Sequence, residues 1–527
     1  MKRTLWIVTG LVALAAALRL VNLNGRPLWY DEAFALLYAE KSLTAILSGT
    51  LTPVLGVAAD VHPVAYYFLL HGWMTLVGQS PLAIRMFSVC YGVGTVTLAY
   101  RLMRDLFSAG VAAWSALVVA VAPFQIAYSQ EARMYAMLGF WSVAALVAWV
   151  RAWHNDSLRA WAAFVVCGAL ALYSHNLGFA TFVTVGAWVL ARLMRAYLCS
   201  PPALPASRGR EERTLALKTI LAGLAMAALF APWLMQVPGQ MGKIGQAYWV
   251  ARPGALTLVQ TLIAFAFDFE NAVFPRALLP LALFGALLAL GVVVWQIVIR
   301  LIHKGHRGTQ RKISGPLCPS WAISFLAVLA FAPVALMFVI SQWVPVYIIR
   351  GLIPASICYA ALVGWALAGM PRPARVAFGI PLGVLVAAIL IAFYGYAGFP
   401  RGPYPALDAF LRAQIRPGDA VVHSNKLTFF PAHVYDRALP QVFLSDPPGS
   451  GSDTLAYPTQ QALGLYATTL DNATLGAQRV WLVIFKQAIV EMEGAHPHVA
   501  WLDARFERTR TFSFGDIDVM LFARKEQ

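Results

Sequence analysis

The feature that most constrains this chain is a series of long apolar stretches with few charged residues. Because a hydrocarbon core of about 30 Å is crossed by roughly 20 apolar residues in an α-helix, the series predicts eleven membrane spans. With 60% hydrophobic and only 12% charged residues, the composition excludes a cytosolic enzyme, a disordered chain and a disulfide scaffold. The sequence therefore predicts a polytopic α-helical membrane protein. The spans are predicted near residues 4–21, 86–106, 110–128, 134–151, 159–175, 177–195, 217–233, 278–302, 319–341, 350–370 and 376–397.

The net charge of +16 is confined to the predicted membrane part of the chain. Residues 1–399 contain 28 of the 40 Lys and Arg residues but only 11 of the 24 Asp and Glu residues. If the amino terminus is cytosolic, 19 of these 28 basic residues fall in cytosolic loops, as the positive-inside rule requires. The excess therefore indicates helix orientation and not nucleic-acid binding, and it predicts an extracytoplasmic carboxyl terminus. No cysteine follows residue 400, which suits a bacterial periplasm, so we expect a multi-pass protein of the bacterial cytoplasmic (inner) membrane.

A composition shift at Gly398-Phe-Pro-Arg-Gly-Pro predicts a domain boundary. Residues 1–399 would form the membrane domain, with external loops at 22–85 and 234–277. The apolar segments 62–80 and 255–272 are short or carry ionisable residues, so we expect interfacial or re-entrant helices there. Residues 400–527 would form a soluble α/β domain. Its strands are predicted at 420–423, 441–444, 480–485, 508–514 and 518–523, and its helices at 405–415, 426–437, 459–469 and 486–494.

The acidic residues of the membrane part concentrate on the predicted outer side. Ionisable groups at that depth are costly unless they are paired or functional, so a polar site is expected at the outer membrane boundary. The outer acidic residues are Asp31, Glu32, Glu40, Asp60, Glu131, Asp268 and Glu270.

The first candidate cluster is Asp31-Glu32, directly after the first span. Adjacent carboxylates point in different directions on any regular backbone, so one can face a substrate while the other anchors the loop. The structural alternative is a helix that Asp31 caps, with Glu32 in its first turn.

The second cluster, Asp60, His62, Pro63 and Tyr66, opens the predicted interfacial helix. Its structural alternative is also a helix cap, with Pro63 in the first turn. His71 and His175 add to a possible divalent-metal set, but no tight ligand spacing supports one. We therefore predict that no metal or other cofactor is obligatory.

The third cluster is Glu131, Arg133 and Tyr135, between two predicted spans. A planar guanidinium can bind a phosphate through two parallel hydrogen bonds, whereas the alternative is an ion pair between Arg133 and Glu131. Four further candidates lie on the predicted outer side. Two of them, Lys243 and Arg350, are cations whose side chains could simply extend to the membrane interface. The other two are His175, in a polar turn, and Tyr347, near Arg350.

Taken in order, four motifs resemble the bacterial branch of the protein O-mannosyltransferase superfamily, that is, glycosyltransferase family 39 and its aminoarabinose-transferase relatives. The resemblance covers roughly residues 1–400. The motifs are Trp29-Tyr-Asp31-Glu32, His62-Pro63 with Tyr66-Tyr67, Ser129-Gln-Glu-Ala-Arg-Met-Tyr135 and Arg350-Gly-Leu-Ile-Pro354.

This resemblance implies a GT-C membrane fold and transfer of a sugar from a polyprenyl-phosphate donor on the outer face. It assigns the catalytic carboxylate of the first loop to Asp31, with Glu32 as its partner, and the phosphate-side arginine to Arg133. Relatives often have lysine at the position of His62. In an inverting displacement Asp31 would act as general base while cations hold the leaving phosphate. Arg350 would join Arg133 on the phosphate, with Lys243 and His62 as further candidates, and the remaining site residues would contact substrate: Asp60, Tyr66, Glu131, Tyr135, His175 and Tyr347.

Two functions of other classes stay open at this stage. A polyprenyl-lipid flippase or transporter would also use charged membrane residues, but near the bilayer midplane. A membrane-anchored interaction scaffold would need no polar pocket. The sequence does not specify the sugar, the acceptor, which could be a glycan, lipid or protein, or the role of the C-terminal domain.

Overall fold

The structure, a computed structural model, describes residues 2–54, 56, 59–198, 206–246, 250–268, 278–306, 319–396, 398–446, 455–492 and 496–525. In chain order the helices are α1 (Lys2–Leu20), α2 (Tyr30–Ala39), α3 (Leu43–Leu51), α4 (Ala65–Val77), α5 (Pro81–Leu106), α6 (Ala109–Val121), α7 (Pro123–Ser129), α8 (Tyr135–Asn155), α9 (Leu158–Ser174), α10 (Phe179–Leu198), α11 (Ala206–Leu234), α12 (Val237–Gln246), α13 (Ala255–Phe267), α14 (Leu279–His306), α15 (Pro319–Ile340), α16 (Ile353–Gly369), α17 (Arg372–Gly395), α18 (Tyr404–Gln414), α19 (Lys426–Tyr435), α20 (Tyr457–Leu463), α21 (Leu470–Ala473), α22 (Lys486–Glu491) and α23 (Pro497–Arg505). The strands are β1 (Asp419–His423), β2 (Gln441–Leu444), β3 (Ala467–Thr468), β4 (Arg479–Phe485), β5 (Phe506–Phe514) and β6 (Ile517–Arg524).

The chain divides into two compact units. The helical unit comprises Met1–Val21, Arg85–Met235 and Val250–Tyr394. The sheet unit comprises Asn22–Ile84, Gln236–Trp249 and Gly395–Gln527. The segment Asn22–Ile84 therefore packs in one unit with the residues after Gly395. The predicted boundary at residues 399 and 400 stays a prediction.

The helical unit confirms the expected polytopic α-helical class. Within the described ranges, eight helices are long and apolar enough to cross a membrane, and the bent pair of α6 and α7 makes a possible ninth. Two further apolar helices, Thr4–Leu20 and Leu158–Ser174, occupy predicted spans but are shorter. The total of eleven spans stays a prediction.

One predicted span, 110–128, is wrong as a single helix. Its two halves, α6 and α7, meet at an angle of 57°, because Pro123 has no N–H and disfavours a helical conformation at Ala122. The guanidinium of Arg19 donates to the carbonyl of Ala120 at 3.0 Å and to Ser129 Oγ at 3.1 Å. A buried charge thus bonds a backbone oxygen beside the break and fixes the end of α7.

Helix α16 lies in the core of the helical unit and is almost entirely buried. Its Gly364 lies against α6, where a Cβ would come within 2.4 Å of Ser115 Cα. The hydroxyl of Ser115 donates to the carbonyl of Ala361 at 2.8 Å. Small residues therefore let these two helices approach closely, as is common where membrane helices pack.

The sheet unit contains a six-stranded sheet in the order β3-β2-β1-β4-β6-β5. The first four of these strands are parallel, whereas β6 pairs antiparallel with β4 and β5. Because side chains alternate along each strand, β4 buries Leu482 on one face and Trp481 on the other. The predicted α/β class of this region is confirmed.

Some details of the predicted α/β module are wrong. The predicted helix 459–469 ends at Leu463, because Gly464 takes a left-handed conformation (φ +71°) that stops the helix. Residues Ala467–Thr468 then form the short strand β3. Helix α23 was not predicted; it begins with Pro497 at its first turn.

The two segments expected to be interfacial both contain short helices. Helix α4 lies within 62–80 and α13 lies within 255–272, each with 13 residues. Both are shorter than a typical membrane span.

Candidate functional site

Helix α2 in the sheet unit carries the first candidate cluster. The helix begins at Tyr30, and Trp29 is its N-cap residue, so the alternative in which Asp31 caps the helix is wrong. Asp31 and Glu32 both lie in the first turn, where carboxylates interact favourably with the helix dipole. Asp31 is partly exposed, whereas Glu32 is completely buried. The two adjacent carboxylates therefore differ in environment.

The buried carboxylate of Glu32 is paired with Arg401. Nη1 of Arg401 donates to Glu32 Oε2 at 2.5 Å and to the carbonyl of Pro27 at 3.0 Å. The Arg401 side chain is 4% exposed and that of Glu32 is 0% exposed. A carboxylate this deeply buried is tolerated only with such a charge-assisted partner.

The second cluster forms a turn and not a helix cap. Helix α4 begins at Ala65 with Val64 as its N-cap residue, so the capping alternative for Asp60 and His62 is wrong. Asp60 Oδ1 accepts from the backbone N–H of Val61 and of His62, at 2.6 and 3.1 Å. It also lies 2.9 Å from His62 Nδ1. The carboxylate therefore folds the turn and orients the imidazole.

Tyr66, at the start of α4, is buried beside Tyr67 with the ring centroids 5.7 Å apart. Tyr67 packs edge-on against Phe34 and Tyr38 of α2, at 6.1 and 5.0 Å. This aromatic cluster connects α4 to the helix that carries Asp31.

The third cluster, in the helical unit, is a buried turn between α7 and α8. Glu131 and Arg133 are each 5% exposed, and the N–H of Arg133 donates to the carbonyl of Glu131 at 2.8 Å. Gln130 Nε2 donates to the carbonyls of Arg19 and Val21, at 2.9 and 2.8 Å. The turn is thereby fixed to the end of α1, and an ion pair between the side chains of Arg133 and Glu131 stays a prediction.

Tyr135, His175 and Arg350 come together within the helical unit. The guanidinium carbon of Arg350 lies 5.4 Å from the Tyr135 ring centroid, within cation–π range. The imidazole of His175 lies 5.6 Å from the same ring, and its Nδ1 accepts from the N–H of Leu177 at 3.1 Å. A cation, a phenol and an imidazole remote in sequence thus form one buried or half-buried group.

A close approach of two turns brings Arg350 and His175 together. The 3₁₀ turn Ile349–Leu352 packs on the 3₁₀ turn Asn176–Gly178. A Cβ at Gly351 would come within 2.3 Å of Leu177 Cδ1. Only glycine fits there without displacing Leu177.

Among the other predicted residues, Tyr347 has a described contact, whereas the side chains of Lys243 and Glu270 are not described. Tyr347 lies on the same segment as Arg350, and its hydroxyl is 2.8 Å from Thr261 Oγ1 of α13. Lys243 lies in α12, but its side chain is outside the described part of the chain, as is Glu270. Within the described ranges, no three His, Cys, Asp or Glu side chains are grouped as metal ligands.

Sequence reasoning missed the residues after position 400 that contact α2. Arg401 lies in the segment interpreted only as a domain boundary, and the hydroxyl of Tyr435 accepts from the N–H of Leu28 at 2.8 Å. These pairs are separated by 369 and 407 positions in the chain. No local pattern carries a signal over that separation.

Comparison with solved structures shows the fold of this chain. ArnT from Cupriavidus metallidurans has a TM-score of 0.61 and 12% identity, over 99% of this chain and 98% of that chain. The structure of ArnT bound to undecaprenyl phosphate has a TM-score of 0.59 and 12% identity, over 98% of each chain. The oligosaccharyltransferase AglB from Archaeoglobus fulgidus, solved with an inhibitory peptide and a dolichol-phosphate, gives 0.53 and 13%, over 99% of this chain and 74% of that one. The fold is therefore that of the GT-C glycosyltransferases, as the sequence predicted.

Residues 61–236, about a third of the chain, match the profile of the dolichyl-phosphate-mannose-protein mannosyltransferase family. The predicted resemblance to glycosyltransferase family 39 and its relatives is confirmed. A search of curated proteins by sequence finds no match. The chain is thus a multi-pass membrane protein with a GT-C-like fold, and its residues 61–236 resemble that mannosyltransferase family.

Proposed function

We propose that this protein is a membrane glycosyltransferase that moves a sugar from a polyprenyl-phosphate donor to an acceptor on the extracytoplasmic face. The acceptor oxygen would form a bond to the anomeric carbon as the bond from that carbon to the phosphate oxygen breaks. The acceptor proton would pass to the carboxylate of Asp31, and polyprenyl phosphate would leave with the electron pair. Such an inverting displacement needs a base on one side of the sugar and cations on the other.

The observation that carries this proposal is the contrast between Asp31 and Glu32. Glu32 is buried and paired with Arg401, so we propose that it supports Asp31 through a structural role. Asp31, one position away on the same helix, is partly exposed. A general base must be accessible to the group it deprotonates, and Asp31 meets this requirement.

The phosphate side of the reaction is assigned to Arg133 and Arg350. Guanidinium groups suit a phosphate because they donate several hydrogen bonds in one plane and stay protonated. Arg350 packs over Tyr135, which limits its rotamers and so lowers the entropy lost when it binds a phosphate. Lys243 and His62 stay further candidates, whereas Tyr66, Tyr135, His175, Tyr347, Asp60 and Glu131 are proposed to line the substrate site.

The donor class is supported by the proteins with this fold. The ArnT structure was solved with undecaprenyl phosphate and the AglB structure with a dolichol-phosphate. A monophosphate lipid leaving group can be stabilised by two or three cations, so we propose that no divalent metal is obligatory.

The substitution Asp31→Asn tests the base. It keeps size and hydrogen bonding but removes basicity, so transfer should fall about a hundredfold or more. The assay uses full-length protein in lipid nanodiscs, a panel of undecaprenyl-phosphate hexoses and pentoses radiolabelled in the sugar, and envelope lipids and glycans as acceptors. Glu40→Gln, at the other end of α2, is the matched control and should retain activity. Transfer by Asp31→Asn within about tenfold of wild type would remove Asp31 as the base.

A further inference from the structure

The helix that carries Asp31 is held by residues from beyond position 400, and the strongest contact adjoins Asp31 itself. Glu32 is completely buried, so its side chain has one orientation, and Arg401 fixes that orientation through the ion pair at 2.5 Å. The same Nη1 holds the carbonyl of Pro27, just before the helix. One guanidinium therefore fixes both the approach to α2 and its first turn.

Three further contacts surround this first turn within the sheet unit. The hydroxyl of Tyr435 accepts from the N–H of Leu28. The ring of Tyr30 packs edge-on against Phe430 at 5.7 Å. Lys426 Nζ lies 5.9 Å from the Tyr30 ring centroid. Because Tyr30 immediately precedes Asp31, these contacts restrain rotation of α2 about its axis, which sets the direction of the Asp31 side chain.

Residues after position 400 hold the far end of α2 more weakly. Arg437 pairs with Glu40 at 2.8 Å, but the arginine side chain is 48% exposed. Exposed ion pairs contribute little, whereas a buried pair leaves an uncompensated charge when one partner is removed. The buried polar contacts that residues after position 400 make with this segment are therefore concentrated near Asp31.

We infer that the C-terminal domain positions the helix that bears the catalytic base, and that Arg401 is the positioning residue. The inference rests on the proposed function, since it assigns Asp31 as the base. It gives the soluble domain a role in the chemical step, through Glu32, without contact with the reacting atoms. Displacement of a base by about 1 Å can reduce a rate on the order of a hundredfold.

The test compares Arg401→Met with Arg437→Met in full-length protein in nanodiscs, with the panel donor that wild-type protein uses. We expect Arg401→Met to lower kcat on the order of a hundredfold. Its Kd for undecaprenyl phosphate should stay within about twofold of wild type, because the phosphate contacts are assigned to other residues. Arg437→Met should keep wild-type kcat, and Arg401→Lys, which retains the charge, should recover part of the loss.

A double-mutant cycle separates positioning from loss of folded protein. If Arg401 acts through Glu32, the variant Arg401→Met with Glu32→Gln should lose no more kcat than the worse single variant. This double variant has no uncompensated buried charge, so it also serves if Arg401→Met does not fold. A kcat within about threefold of wild type for Arg401→Met, or for the double variant if Arg401→Met does not fold, would overturn the inference, as would additive losses of the two single variants. Since Asp31→Asn is assayed alongside, its retained activity would instead overturn the proposed function.

Discussion

Three carboxylates of the sheet unit show how environment assigns different roles to the same chemical group. Asp31 is partly exposed and is the proposed base, and Glu32 is buried with Arg401 as its partner. Asp408 of α18 is also buried, but neither of its carboxylate oxygens has a hydrogen-bond partner among the described residues. Burial, with a smaller contribution from the nearby carboxylate of Asp436, raises the pKa of Asp408 to about 8.

This pKa makes a prediction about stability against pH. The folded protein keeps a proton on Asp408 that the unfolded chain releases above about pH 4, so the contribution of this group to stability is greatest below that pH. The free energy of unfolding should then fall by up to about 1.4 kcal/mol per pH unit until about pH 8. Asp408→Asn should remove this loss and be the more stable protein at pH 9. Thermal unfolding of purified wild type and Asp408→Asn at pH 5, 7 and 9 measures this difference in stability. Glu507→Gln, at an exposed carboxylate, is the control. Equal pH dependence in wild type and Asp408→Asn would contradict the prediction.

At the scale of elements, the group around Tyr135 depends on the packing of two 3₁₀ turns. Gly351 lets the turn that carries Arg350 approach the turn that follows His175. The position of the Arg350 guanidinium over Tyr135 therefore depends on a residue that has no side chain of its own.

Gly351→Ala tests this dependence. The new Cβ would overlap Leu177 and should cost about 1–3 kcal/mol of stability, as overpacking does. It should also weaken binding of undecaprenyl phosphate, because Arg350 moves with the turn. Adding Leu177→Ala should restore part of both losses. Gly186→Ala in α10, where an added Cβ meets no atom within 4 Å, is the control and should lower neither stability nor lipid binding. Wild-type lipid affinity in Gly351→Ala would show that the turn does not position Arg350.

The elements could be predicted from sequence wherever the physical signal is local. Each span predicted from the length of an apolar stretch corresponds to helix in the structure. The alternation of apolar and polar residues predicted every strand except β3. The break at Pro123 has a local signal too, since proline cannot continue the helix, but the apolar run concealed it. The partners of Glu32 and Leu28 could not be predicted, because Arg401 and Tyr435 are brought to them only by folding of the sheet unit.

At the scale of the whole molecule, the residues proposed for the chemistry belong to different compact units. The proposed base lies in the sheet unit, whereas Arg133 and Arg350 lie in the helical unit. A transporter would place its charged residues near the bilayer midplane on broken helices. The charged side chain of Arg19 lies beside the bend between α6 and α7. It is hydrogen-bonded to protein groups, so its role is structural and not that of a transport site.

The most direct measurement is a cryo-electron-microscopy structure of the full-length protein in nanodiscs with an unreactive analogue of the donor lipid. We predict that Arg133 and Arg350 hydrogen-bond to the phosphate and that the Asp31 carboxylate lies on the opposite side of the anomeric carbon. There it should reach the acceptor position directly or through one water. An analogue bound with Asp31 remote from the anomeric carbon, or with its phosphate held by neither arginine, would contradict the proposed mechanism.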